Sequence, residues 1–164
     1  EACHLEADDI RNIEAVDCIC IDRGPYKTVK SPSSVRQIPV HSVLKKLGLI
    51  ELAEARRGPL HTKLFPELER SGPHGLYGYA FSKSFTAYRR SVDLYELWMD
   101  FHSLRTTFST NILRQKKADT LVAVLLGHKL QGLTSTNYFR GFRVEDMVDT
   151  VELVDFGKHI QRWA

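Results

Sequence analysis

The two stretches of this chain that read most clearly as β-strand both fall within residues 1–40. "IEAVDCICID" (13–22) is dense in β-branched and small apolar residues, and Cys18 and Cys20 alternate along it so that they share a face. "SVRQIPV" (34–40) is the second, ended by Pro39. Between them Gly24-Pro25 marks a turn, and "KTVKSPSS" makes a polar hairpin tip that carries Lys27 and Lys30. Two strands joined by a hairpin are not stable alone in water. The rest of the chain has to cover them.

The rest reads mainly as helix. "HSVLKKLGLIELAEARRG" (41–58) is helical, with a break at Gly48 and a stop at Gly58. "LYGYAFSKSFTAYRRSV" (76–92) sets Phe81, Phe85 and Tyr88 at helical steps, with Arg89 and Arg90 in the last turns. On 101–117, Phe101, Leu104, Phe108 and Ile112 form an apolar stripe expected to face the core. "ADTLVAVLLGHK" (118–129) is an apolar helix, with Asp119 or Thr120 as its N-cap and Gly127 as its stop. "GLTSTNYF" (132–139) restarts a helix, and 143–164 gives a final acidic amphipathic helix and a tail. Residues 1–8 read as the end of a helix, and the proline-punctuated 59–75 as a loop or short strand with turns. The expectation is one α+β domain over 1–164, mainly helical, with a small antiparallel sheet near the N-terminus.

At 164 residues the chain is long enough to bury a real core. Its apolar runs are only a few residues long, so no membrane span is expected, and no signal peptide is seen. The opening "EACHLEADDI" reads as mid-helix, as though Glu1 followed a cut. Three cysteines point to a reducing, intracellular setting. Cys3, His4, Cys18 and Cys20 have poor spacing for zinc, so Cys18 and Cys20 read as buried small hydrophobes and no metal is expected.

The net charge of +3 hides an asymmetry: six Lys/Arg and no acid from Arg23 to Lys46, then five acids and no base from Val144 to Phe156. The basic segment fits either a phosphate-backbone surface or a solvated charged face.

His102 and Arg105, three residues apart at the head of helix 101–117, point from neighbouring faces. Two donors presented together suit a phosphate or carboxylate; the spacing alone equally fits a surface histidine and an ion-paired arginine. Leu126-Gly127-His128 then puts a histidine just past a helix stop, and Tyr138 follows ten residues later. In isolation Tyr138 reads as a half-buried aromatic.

Taken together, these residues resemble the tyrosine recombinase, or phage integrase, family. "HSLRTTFST" is similar to that family's H-x-L-R-H-T-F motif, and "LLGHKLQGLTSTNYF" to its L-G-H…Y motif. "EACHLEADDI" resembles the first box, R-x-x-E followed by Leu and Asp-Ile, with Glu1, Leu5 and Asp9-Ile10 on the matching positions. "YKTVKSPSSVRQIPVH" resembles the family's hairpin segment, with Lys27 on the lysine position and Lys30 as the fallback. The likeness runs along nearly the whole chain. One position departs: Thr106 stands where the family commonly has a second histidine, which implies a change in local hydrogen bonding and not a loss of activity.

The resemblance implies the DNA breaking-rejoining fold of that family and DNA cleavage and rejoining with no cofactor. Tyr138 would be the nucleophile and would leave a 3′-phosphotyrosyl link. Arg105 and His128 would hold the non-bridging oxygens. His102 would act as base or phosphate donor, and Lys27 as the general acid on the 5′-oxygen, its pKa pulled down by cationic surroundings. Glu1 would orient an arginine. The family's first catalytic arginine would lie just before residue 1, so the chain as given is expected to cleave DNA poorly, and an N-terminal core-binding domain would lie further upstream. Lys30, Arg36, Lys45, Lys46, Arg89 and Arg90 are candidates for DNA phosphate contacts, with Arg114, Lys116 and Lys117 behind them. Implied partners are double-stranded DNA and a homo-tetramer formed through the C-terminal segment, where Met147, Val148, Val151 and Val154 either meet a neighbouring protomer or pack on their own domain. The implied location is the cytoplasm of a bacterium or phage host. Competing readings are a type IB topoisomerase-like relaxase, a non-catalytic DNA-binding remnant, and a metal-dependent nuclease using His102 and His128.

Overall fold

A computed structural model of the chain describes residues 1–24, 27, 29, 31–59, 62–115, 118–130 and 141–155. Three strands, β1 (Ile10–Ile13), β2 (Val16–Ile21) and β3 (Arg36–Pro39), form an antiparallel sheet in the order β1-β2-β3. The helices among the described residues are α1 (Ser42–Lys46), α2 (Leu49–Arg56), α3 (Gly78–Ser91), α4 (Ser103–Arg114), α5 (Asp119–Leu126) and α6 (Val144–Val151). The chain is therefore a mixed α+β protein with a small antiparallel sheet near its N-terminus. None of these helices is long and apolar enough to cross a membrane.

The first strand was hidden in the sequence. β1 pairs with β2 from Ile10↔Ile19 to Ile13↔Val16, closed by a two-residue turn at Glu14 and Ala15. Both turn residues have positive φ, 49° and 65°. Tight hairpins of that kind are usually signalled by Asn-Gly or Asp-Gly. With Glu-Ala in their place, 13–22 reads as one uninterrupted strand.

Alternation along β2 divides the core between the two faces of the sheet. Cys18 and Cys20, fully buried, pack with Leu121 and Leu125 of α5 and with Val144, Met147 and Val151 of α6. Ile19 and Ile21 pack on the other side with Leu5, Ile10, Leu64 and Ala53 of α2. The two cysteines are core residues, as their alternation predicts, and burial pushes the Cys18 thiol up to about 11.

Helix boundaries follow the sequence signals closely. Gly48, at φ 89°, separates α1 from α2. Gly127, at φ 68°, ends α5 with a Schellman pair: its own N–H donates to the Val124 carbonyl and the His128 N–H to the Ala123 carbonyl, at 2.9 and 2.8 Å. The N-cap of α5 is Ala118, not Asp119 or Thr120.

Two expectations need correction, and one of two alternatives left open for α6 is observed. Residues 1–8 are not a helix end but two 3₁₀ turns, Ala2–His4 and Ala7–Asp9, tied to the 62–64 segment by Ala7 N–H to Thr62 O and Leu64 N–H to Leu5 O. The stripe on α4 faces the core only at its C-terminal end. Ile112 is fully buried and Phe108 packs beside it, whereas Leu104 is 52% exposed and Phe101 instead meets Phe81 and Phe85 edge-on, at 5.0 and 5.3 Å. On α6, Met147 and Val151 are buried in the chain's own core and Val154 packs against the Ile112 group. Met147 and Val151 are thereby removed from any surface offered to a neighbour, and Val154 is half-buried. Tyr138 and the rest of 132–139, Lys30, Lys116, Lys117 and the tail 156–164 lie outside the described residues.

Candidate phosphate-binding cleft

The apolar C-terminal half of α4 sets its head beside the tail of α5. Phe108 and Ile112 pack against Val122 and Leu126. Arg105, one turn into α4, reaches across and donates from Nη2 to the Leu126 carbonyl. At this junction opens a cleft of about 990 Å³. His102, Arg105 and His128 all line it, together with Thr120, Lys129, Glu1 and the hydroxyl-rich turn of Ser31, Ser33 and Ser34. Three residues picked from two separate motifs therefore share one opening. His102 and His128 are exposed and Arg105 is half-buried. The cleft presents two imidazoles, a guanidinium and an ammonium, donors suited to an oxyanion such as phosphate, beside the carboxylates of Glu1 and Asp119.

The Glu1 carboxylate is paired with Arg36. Nη1 and Nη2 of Arg36 donate to the two Glu1 carboxylate oxygens at 3.1 and 2.8 Å. The hydrogen bond from Arg36, against partial desolvation, holds the Glu1 carboxyl below its usual range.

Lys27 sits elsewhere. It lines a smaller neighbouring cavity of about 410 Å³ with His4, Asp9 and Asp22, and among the described residues only Glu1 belongs to both openings. Its Nζ lies 2.5 Å from Asp9 Oδ1 and 3.0 Å from Glu6 Oε2, and both carboxylates are almost wholly buried. Burial alone would lower the lysine pKa, but the hydrogen bonds and charges of Asp9 and Glu6 outweigh it and raise Lys27 above the usual lysine range. The expected downward shift is thus reversed, because anions and not cations surround the ammonium. For Glu6 burial pushes the carboxyl up, and Lys27 and Lys63 more than offset that and leave it below its ordinary value. Glu6 and Lys63 carry no motif signal; their pairing across 57 residues emerges only from the fold.

Several DNA-contact candidates are already engaged internally. Arg36 is only 7% exposed and tied to Glu1, Ser34 and Leu125. Arg89 is buried, with its guanidinium over Phe85 and Tyr95 at 5.1 and 5.3 Å. Neither can reach a DNA backbone as placed. Lys45 is paired with Asp17 at 2.7 Å, and Arg90 stacks on Tyr95 at 4.5 Å; both remain exposed, as do Lys46 and Arg114. The basic run from Arg23 to Lys46 is therefore neutralised in part: Lys27, Arg36 and Lys45 all have carboxylate partners.

These pairs set an acid limit on stability. Glu1, Glu6, Asp17 and Glu152 are all held below their ordinary values. A carboxyl whose folded pKa is depressed contributes stability that is present above its unfolded value, about 4. That contribution is lost as pH falls through the folded value. The urea midpoint is expected to hold from pH 7 to about pH 5 and to fall steadily below about pH 4.5. A midpoint that stays level down to about pH 3 contradicts the pairing.

No family model, curated protein or solved structure matches the chain.

Proposed function

We propose that this chain is the catalytic domain of a tyrosine-type site-specific DNA recombinase, with the fold of that family, acting through a 3′-phosphotyrosyl intermediate. The observation that carries the reading is the shared cleft: His102 and Arg105 from α4 and His128 from the end of α5 line one opening. Three of the five residues that the motifs nominate line this opening; Lys27 lines the neighbouring cavity, and Tyr138 lies outside the described residues.

In this reading a backbone phosphate of duplex DNA enters the cleft. Tyr138, ten residues beyond His128 in the chain, supplies its phenolic oxygen as nucleophile. A phenol of pKa ~10 is weak at neutral pH unless a base or positive field assists it. His102 accepts the phenolic proton. The new bond joins Tyr138 Oη to phosphorus, and the bond from phosphorus to the 5′-oxygen breaks. Arg105 and His128 hold the non-bridging oxygens as negative charge builds on them, which is ordinarily the largest catalytic contribution. The leaving 5′-oxygen takes a proton from a general acid, and rejoining runs the same steps in reverse. Lys27 fills the acid role only by leaving Glu6 and Asp9; Lys30 is the alternative donor.

The proposal extends to double-stranded DNA as partner, a homo-tetramer on that DNA, and a DNA-associated location in the cytoplasm of a bacterium or phage host. One observation favours a second reading. The ion pairs that hold Lys27 leave the cleft without its acid, which suits a remnant that binds DNA phosphate and does not cut it.

Incubating the full-length protein with a pool of nicked duplexes, in EDTA and in parallel with Mg²⁺ and no EDTA, separates these readings. DNA that stays protein-linked through denaturation supports the recombinase. Binding with no linked DNA supports the remnant, and adduct-free cleavage that EDTA abolishes supports a metal-dependent nuclease.

A further inference from the structure

We infer that Arg36 is a positioning residue of the cleft: it holds the Leu125–His128 turn and so aims His128 at a bound phosphate. Arg36 opens β3, and its guanidinium lies beneath the end of α5. Nε donates to the Leu125 carbonyl at 2.9 Å. Nη1 donates to Ser34 O at 2.8 Å, and the two Nη groups embrace the Glu1 carboxylate. One planar group thus links three walls of the opening: the first residue, the serine turn and the last turn of α5.

The geometry at Gly127 shows how close the fit is. A Cβ there would fall 2.9 Å from Arg36 Nη1 and 3.2 Å from Cζ. Glycine is required for its positive φ and also for the arginine packed beneath it. The next residue is His128, whose N–H closes the Schellman turn on Ala123.

Charge explains why an arginine is needed. The end of an α-helix carries a partial negative charge on its last carbonyls, an unfavourable neighbour for an anion. Here two successive carbonyls, Leu125 and Leu126, accept from Arg36 and Arg105. The two guanidiniums cover the negative end of α5 and leave His128 facing the cleft from a turn that cannot swing. Lysine, a point charge without a fork, cannot hold Leu125 and Glu1 together.

The functional half of this inference rests on the phosphate-cleft reading; the structural half does not. The test is NMR on the 164-residue chain and its Arg36→Gln variant, titrated with inorganic phosphate. In the parent, the ring signals of His102 and His128 move together and saturate. In Arg36→Gln, the His128 amide exchanges at least about tenfold faster, His128 loses its phosphate response, and His102 keeps its own. Arg36→Lys behaves like Arg36→Gln, and carries the comparison if the glutamine variant does not fold. Unchanged His128 exchange overturns the inference. Faster exchange with an intact His128 phosphate response also overturns it, because Arg36 then supports the fold alone. If neither histidine of the parent responds to phosphate, the cleft reading fails, and the His128 exchange rate alone decides whether Arg36 holds the turn.

Discussion

Replacing Arg105 by alanine is expected to slow covalent capture of DNA by about 10²–10³-fold, roughly 3–4 kcal/mol at the transition state. Arg105 combines two properties that the proposed chemistry needs. Its guanidinium stays charged at any working pH, and its fork can meet two oxygens at once. Its bond to the Leu126 carbonyl fixes it before substrate arrives, so little reorganisation is needed as charge develops. Arg105→Lys keeps the charge and loses the fork, and is expected to fall between alanine and the parent. The measurement is the single-turnover rate of adduct formation at saturating DNA. Binding affinity should change far less than rate, since one phosphate contact is a small part of a duplex interface. An alanine variant that forms adduct at the parental rate removes Arg105 from the clamp.

Replacing Lys27 by methionine is expected to lower folding stability by about 3 kcal/mol, the lower part of the range for removing one partner of a buried ion pair. The ammonium lies between Asp9 and Glu6, whose side chains are 2% and 4% exposed. Without it Asp9 keeps only the longer ion pair with Arg11 at 3.7 Å and the Glu6 N–H at 2.9 Å, and Glu6 retains Lys63 at 3.4 Å. Denaturant midpoints measure the loss. Adding Asp9→Asn to Lys27→Met is expected to recover part of it, because the uncompensated charge is then gone. A Lys27→Met chain as stable as the parent contradicts the placement of Lys27 between these carboxylates. The same pair of variants separates structure from chemistry: the double variant regains stability without regaining any proton-donor role.

Much of the architecture could be read from the residues. Gly48 and Gly127 end their helices where left-handed backbone is needed, a requirement legible from the residue itself. The alternation of Cys18 and Cys20 identifies the buried face of β2. His102, Arg105 and His128 were recognisable because their motifs are local, each set within a few residues. What could not be read depends on distant partners. β1 was masked by a Glu14-Ala15 turn with no glycine or asparagine to mark it. The basic run looked like an open cationic surface because its neutralising partners, Glu1, Glu6, Asp9 and Asp17, lie outside it in sequence. Arg36 looked like a DNA contact for the same reason. Nothing near it in sequence discloses that Leu125, 89 residues on, accepts its Nε–H. Arg89 passed for a helix-end cation, while the fold turns it inward over Phe85. The α4 stripe failed at Phe101 and Leu104 because periodicity shows that a face is apolar and not what will cover it.

The most direct measurement is whether Tyr138 becomes bonded to DNA. Full-length protein is incubated in EDTA with nicked duplexes of randomised sequence, denatured, digested, and the linked peptide sequenced by mass spectrometry. A DNA 3′-phosphate is expected on the peptide carrying Tyr138, absent from Tyr138→Phe and strongly reduced in Arg105→Ala. Protein-bound DNA with no covalent link under any of these conditions, or a link that persists in Tyr138→Phe, contradicts this expectation.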